Sequence, residues 1–373
     1  MALGIGWATG GLEYGYWWLT NATPPTVTLV APPDVVRGSV QIGVRVGPSD
    51  RAGPVEAQVD GQPIEPSGAL LVDTSTLPDG EHQVIVSAED RSWRRNRASA
   101  MVSVRSDNTP PQLRLESRPE RARAGSTWLL RVRPDEPAAI EAQLGGTPLA
   151  IQPGEGYGWA IVGFSPEAPA TTLALVLAGA DRLGNRAEQQ LTLEVAADDA
   201  PVDAVDVSAA LLPLLGPEIR AEEDRRLAPT YQRISQPRLW EGRFLMPVEG
   251  PLITEFGARR SYNGGPVVGA HAGADFAAPA GQPVLAPARG RVALIDEVRL
   301  RGRVVVLDHG LGVFTTYAHL SAVDVQPDQT VERGQPIAKV GSTGLSTGPH
   351  LHWELWVGGA NVDPLEWTER ELP

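Results

Sequence analysis

The 373-residue chain carries 45 acidic against 32 basic residues, a formal net charge of −13, and 42% hydrophobic residues. A surface this acidic repels phosphate backbones, which excludes general nucleic-acid binding. The absence of cysteine excludes thiol nucleophiles, cysteine-ligated zinc, iron–sulfur clusters and disulfides, so any metal must sit on His, Asp or Glu.

The length calls for two or three domains, and 40 Gly with 34 Pro describe a turn-rich, mainly β protein. The first 22 residues, "MALGIGWATGGLEYGYWWLT" and onward, are apolar and aromatic with Glu13 as the only charge. They lack the basic flanks and full length of a signal or a spanning helix, which takes about 20 apolar residues. They read as the remnant of an anchor or signal, with Tyr16, Trp17 and Trp18 suited to membrane association, or equally as a segment packed on the first domain.

A repeat follows. "TPPTVTLV" from Thr23 answers to "TPPQLRLE" from Thr109 at an offset of 86, and "EAQVDGQPI" from Glu56 answers to "EAQLGGTPL" from Glu141 at an offset of 85. "AEDRSWRRNR" from Ala88 and "AGADRLGNR" from Ala178 close the two copies. Runs such as "SVQIGVRV" and "TWLLRVR" alternate with period two between Gly, Pro and Asp turns, which predicts two β-sandwiches in series, 23–106 and 107–198. The Asp181, Gly184, Asn185 turn before the last strand resembles bacterial immunoglobulin-like modules.

Residues 199–240 change pattern. "VSAALLPLLG" and "PEIRAEEDRRLA" have helical spacing, with Pro217 at a first helical position and Pro229 ending the second run, so this stretch predicts a short helical linker. It serves as a spacer or as a lid over the next domain. From 241 to 373 strands return as "ARGRVAL", "GRVVVLDHG", "FTTYAHL", "QPIAKVG" and "HLHWELWV", predicting an antiparallel sheet domain with long loops.

Five of the six histidines fall in this last domain: His271, His309, His319, His350 and His352. In "HAGADF", His271 and Asp275 are four apart, and Gly273 with Pro279 argue for extended chain rather than helix. In "GPHLHWEL", His350 and His352 share one face of a strand while Leu351 and Trp353 face the core. His271, Asp275 and one histidine of that pair make a catalytic zinc set, because three protein ligands leave a fourth tetrahedral position open. The remaining histidine is free to move protons. "TTYAHL" puts Tyr317 and His319 on one face of another strand at the same groove. His309 reads as structural and His82 as an exposed turn residue, while Arg260 and Tyr262 lie on the loop leading to His271 and could contact substrate. Ser342, Thr343, Ser346 and Thr347 form a polar turn.

These motifs, with "FGARR", "VVVLDHGLGVFTTYAHL", "VERGQPIAKVGSTGLSTGPHLHWEL" and "VDPLEW", resemble the M23 zinc metallopeptidases, the lysostaphin- or LytM-type cell-wall endopeptidases, from roughly Arg243 to Trp367. The resemblance implies zinc on His271, Asp275 and His352, with His350 and His319 in catalysis. It further implies hydrolysis of the peptide part of peptidoglycan and an extracytoplasmic location. A second reading is a non-catalytic zinc-binding scaffold or activator of wall hydrolases, with the sandwiches as binding modules.

Overall fold

The computed structural model describes residues 14–66, 69–116 and 121–372. It is built mainly of β-strands, and they divide into two compact units. One lies within 1–112 together with 136–139 and 179–187, and the other takes 113–135, 140–178 and 188 onward. Part of the apolar N-terminal segment, residues 1–13, lies outside the described residues; residues 14–20 form a short helix exposing Tyr16, Trp18 and Leu19. No described helix is long and apolar enough to cross a membrane.

The sequence repeat is a structural repeat. Strand Ala52–Val59 turns into Gln62–Ile64 through Asp60 and Gly61, both at positive φ, and Ala138–Leu144 turns into Thr147–Pro148 through Gly145 and Gly146, again both positive. Two successive left-handed residues give the hairpin turn whose twist matches its strands, which is why Asp-Gly and Gly-Gly stand there. The closing turns match as well: Asp90 accepts from the backbone of Ser92 and Asn96, and Asp181 from that of Leu183 and Asn185. In the first copy Val40, Ile42, Val59, Leu70, Val84, Val86 and Val104 form the core. In the second, a five-stranded and a four-stranded sheet share a core of Leu130, Val132, Leu144, Leu175, Leu177 and Leu193.

His82 departs from expectation. It is 5% exposed, not a free turn residue, because it continues the inward period of Val84 and Val86; its Nδ1 lies 2.6 Å from Asp60 and its Nε2 2.8 Å from the Pro78 carbonyl.

The final domain is an eight-stranded antiparallel sheet. In chain order its strands, with those that flank them, are β1 (Val202–Val205), β2 (Leu252–Thr254), β3 (Arg259–Tyr262), β4 (Val267–Ala270), β5 (Ala274–Ala277), β6 (Gly290–Val298), β7 (Gly302–Gly310), β8 (Val313–Ala318), β9 (Thr330–Val331), β10 (His350–Val357) and β11 (Ala360–Val362). The main sheet runs β2-β5-β10-β8-β7-β6-β9 with β11 on β10, and β1, β3 and β4 make a separate three-stranded sheet. One face of the central strands builds the main core with Val305, Leu307, Tyr317, Leu351, Trp353 and Leu355. The other face is covered by helix α1 (Pro217–Tyr231), whose Leu227 and Tyr231 pack on Val306 and Phe314. Burial on both faces explains the unbroken "VVVL" run.

Pro217 opens α1 as expected, but Pro229 does not close it; the helix runs on to Tyr231. A proline in the last turn forfeits one hydrogen bond, and the burial of Tyr231, stacked on Trp356 at 4.1 Å, outweighs that loss. Strand β1, inside the stretch expected to be helical, pairs in parallel with β3.

His309 is fully buried. Its Nδ1–H donates to the Arg289 carbonyl at 2.8 Å, so its Nε2 accepts from the Thr315 hydroxyl at 2.8 Å, which in turn accepts from Tyr317. Burial pushes the imidazole down to about 4. The folded state refuses a proton that the unfolded chain takes up near pH 6.5, so stability is full above that pH and declines as pH falls toward 4. Denaturant unfolding at pH 7.5 and 4.5 is expected to show about 2.5 kcal/mol lost to this residue, a loss absent from His309→Gln.

Candidate metal centre

Strand register brings the site together. In the antiparallel pair of β5 and β10, Asp275 stands directly opposite His352 and Ala277 opposite His350. His271 enters on the turn just before β5. The three donor atoms converge: His271 Nε2 lies 3.1 Å from Asp275 Oδ1 and 3.0 Å from His352 Nδ1, and His352 Nδ1 lies 2.7 Å from the same carboxylate oxygen. All three residues are under 9% exposed. Tetrahedral ligands about 2.05 Å from zinc stand roughly 3.3 Å apart, so this triangle of two nitrogens and one oxygen fits that ion with little contraction or expansion.

The far side of each of these three residues is pinned. His271 Nδ1–H donates to the Glu255 carbonyl at 2.9 Å, leaving Nε2 bare toward the centre. His352 Nε2 meets Glu354 at 2.9 Å, leaving Nδ1. Arg260 Nη2 donates to Asp275 Oδ2 at 2.8 Å, leaving Oδ1. These partners set tautomer and orientation, the usual service of groups around a metal ligand.

The charges follow. Burial works against the Asp275 carboxylate, yet His271 and His352 hold it well below the usual carboxylate range. Burial also disfavours charge on His352, but its bonds to Asp275 and Glu354 prevail and raise it to about 9. Metal binding requires deprotonated ligands, so an incoming cation competes with protons at this centre.

Two further imidazoles border the centre. His319 and His350 have ring centroids 4.6 Å apart, and His319 lies 5.8 Å from His352. Each donates its Nδ1–H to a carbonyl, His319 to Thr343 at 2.7 Å and His350 to Gly348 at 2.8 Å, so each presents a bare Nε2. Burial, helped by His350 and His352, pushes His319 down to about 3. His350 Nε2 is 3.9 Å from Asp275 Oδ1. His319 also has φ +59°, a left-handed conformation that costs a residue with a Cβ about 1–3 kcal/mol and tends to gather at working sites.

That backbone explains a correction. Tyr317 and His319 were expected on one face, but β8 ends at Ala318 and the left-handed turn swings His319 to the groove. Tyr317 stays in the core with no exposed surface, its hydroxyl on Thr315, so it cannot touch a substrate. Arg260 lines the groove but is spent on Asp275 and Asp203, while Tyr262 lines it half-buried.

The groove has a volume of about 780 Å³. Its walls include Asp203 to Val207 and the α1 residues Arg220, Leu227 and Tyr231, so the 199–240 stretch forms a wall and is not merely a spacer. Residues that sequence reasoning missed are Glu354, Arg301 and Glu223, a chain of buried charge, and the orienting carbonyls of Glu255, Thr343 and Gly348. Only Glu354 left a signal: it lies two residues beyond His352 on the same strand face.

Residues 269–364 match the model of peptidase family M23. This part of the chain is an M23 peptidase domain. The chain is 47% identical over 96 residues to an uncharacterized metalloprotease of Haemophilus influenzae, covering 26% of this chain and 20% of that protein. It is 41% identical over 115 residues to the peptidoglycan DD-endopeptidase ShyA of Vibrio cholerae, covering 31% and 27%. A crystal structure of a Pseudomonas aeruginosa protein assigned to peptidase M23 aligns with 66% of this chain and 93% of its own, at 28% identity and a TM-score of 0.48. The matched part spans only about a quarter of the curated relatives' length.

Gly273 sits between His271 and Asp275 in the M23 domain. A Cβ there would stand 2.3 Å from the Trp353 carbonyl oxygen and 3.0 Å from His352 Cε1. Gly273→Ala is expected to force β5 and β10 apart, costing about 1–3 kcal/mol by overpacking and abolishing stoichiometric zinc binding, as measured by metal analysis after dialysis.

Proposed function

We propose that the protein is a zinc-dependent endopeptidase that hydrolyses peptide bonds of bacterial peptidoglycan, with His271, Asp275 and His352 as metal ligands and His350 and His319 as the proton-handling pair. The observation that carries this reading is the convergence of three pinned donors beside two imidazoles whose Nε2 atoms are bare. Zinc, when bound, supplies Lewis acidity that makes water a nucleophile near neutral pH.

The chain's own residues do the rest. His350, oriented by Gly348, takes a proton at Nε2 from the attacking water and returns it to the departing amine. His319 remains neutral at physiological pH, since burial holds it down at about 3. It therefore enters as a hydrogen-bonding group toward the developing charge and adds no cation beside the metal. Such positioned proton transfer contributes about 10² to 10⁴ in rate. Tyr262 and His271 both line the groove, where the peptide would lie.

The substrate assignment is supported by the ShyA match, since that relative is a peptidoglycan DD-endopeptidase. It supports a location outside the cytoplasm, and the exposed Tyr16, Trp18 and Leu19 suit a position at a membrane surface. The two repeated β modules would hold the M23 domain toward the wall.

Purified protein should release soluble peptides from isolated peptidoglycan, with a chelator stopping the release and zinc restoring it. His352→Ala should lose both zinc and hydrolysis. His350→Ala should retain zinc while its rate falls by about 10² or more, and equal zinc loss in the two variants would contradict the assigned roles.

A further inference from the structure

The metal ligand His352 is wired to a helix that precedes the M23 domain in the chain. Its outer nitrogen, Nε2, meets Glu354 Oε1 at 2.9 Å, and Glu354 has no exposed surface. Arg301 Nε donates to the same oxygen at 2.6 Å, and the Trp356 indole N–H donates to Oε2 at 2.8 Å. On its other side Arg301 Nη1 donates to Glu223 Oε1 at 2.8 Å. Glu223 belongs to α1, is 3% exposed, and also accepts the backbone N–H groups of Leu300 at 2.7 Å and Arg301 at 3.2 Å.

One cation, its side chain 13% exposed, thus stands between two buried carboxylates, and every charged oxygen has a donor. Such a set tolerates burial only when complete; removing a member leaves an uncompensated charge. Glu223 is the member supplied from outside the M23 sheet. The carbonyl of Arg301 also accepts the backbone N–H of His319 at 2.8 Å, so this residue holds both a metal ligand and a proton-handling residue in place. Tyr231 gives α1 a second hold on β10 by stacking on Trp356, the neighbour of Glu354 on that strand face.

We propose that α1 is a working part of the metal centre: Glu223, Arg301 and Glu354 are positioning residues for His352, and docking of the helix sets how tightly the centre holds its ion. The inference rests on the reading of His271, Asp275 and His352 as a zinc site. With Glu354 charged and fixed, His352 keeps Nε2–H directed at it and Nδ1 directed at the metal. With Glu223 neutralised, Arg301 loses one of its two carboxylates and is free to shift, and Glu354 shifts with it.

The test is zinc affinity of the full chain by competition with a chromophoric chelator, alongside thermal unfolding of the metal-free protein and the visible spectrum of the cobalt form. Glu354→Gln is expected to weaken zinc binding by about 10- to 100-fold. Glu223→Gln should weaken it several-fold in the same direction and alter the cobalt spectrum, and the double variant should bind no worse than Glu354→Gln alone, since the residues act as one chain. Glu222→Gln removes the same charge from an exposed position on the same helix and should leave affinity unchanged. A merely structural role for Glu223 would lower the unfolding temperature without moving affinity or spectrum, and that result overturns the inference. So would equal weakening by Glu222→Gln. If Glu223→Gln does not fold, Arg301→Lys answers the question, because a single ammonium cannot hold both carboxylates as the guanidinium fork does; wild-type affinity in that variant overturns the inference. Failure of the unaltered protein to take up zinc would sink the zinc reading itself, whereas normal uptake with an unchanged Glu223→Gln affinity sinks this inference alone.

Discussion

Everything at the site depends on one strand register, the pairing that sets Asp275 opposite His352. A slip of one residue would turn both side chains to the opposite face and bring Leu351 and Trp353 into the groove. That slip is resisted from the core side. Phe276, Leu351 and Trp353 are almost wholly buried, and burying each large apolar side chain stabilises the pairing by about 1.5–3 kcal/mol. The same alternation therefore serves both purposes: odd positions of β10 hold the register, and even positions carry His350, His352, Glu354 and Trp356. Gly273 completes the arrangement by letting the His271 turn lie against the Trp353 carbonyl.

The groove face carries an unusual load of buried polar groups, and it is affordable because each is satisfied on the side away from the centre. Asp275 divides its two oxygens, one to Arg260 and one inward. The four imidazoles each spend one nitrogen on an outer partner and direct the other toward the groove. Carbonyls and carboxylates are acceptors only, so they decide which nitrogen carries hydrogen, and thus which lone pair is left for the centre. The preceding 199–240 stretch supplies two of the outer charges, Asp203 on Arg260 and Glu223 on Arg301, which joins a wall of the groove to the electrostatics of the centre.

How much of this could be read beforehand follows from the range of each interaction. Period-two alternation is local, so the strands, the outward pairing of His350 with His352, and the repeated modules were legible. The M23 motifs marked the three residues whose donor atoms converge. Tyr317 was misplaced because strand alternation was extended one residue too far, across the left-handed turn at His319. His82 looked like a turn residue because its partners, Asp60 and Ser106, are distant in sequence. Strand β1 was hidden for the same reason: its only reason to be extended is a parallel partner more than fifty residues away. Glu223 and Arg301 stand 78 residues apart in the chain, and nothing local marks them as a pair.

The most direct measurement of the central claim is X-ray absorption at the zinc edge of the purified full-length protein, compared between the unaltered chain and His352→Ala. The account predicts one zinc per chain with a shell of light atoms only, two of them imidazole nitrogens at about 2.0–2.1 Å, and loss of one imidazole contribution or of the ion itself in the variant. A zinc shell with no imidazole scattering, or one unchanged by His352→Ala, would contradict it.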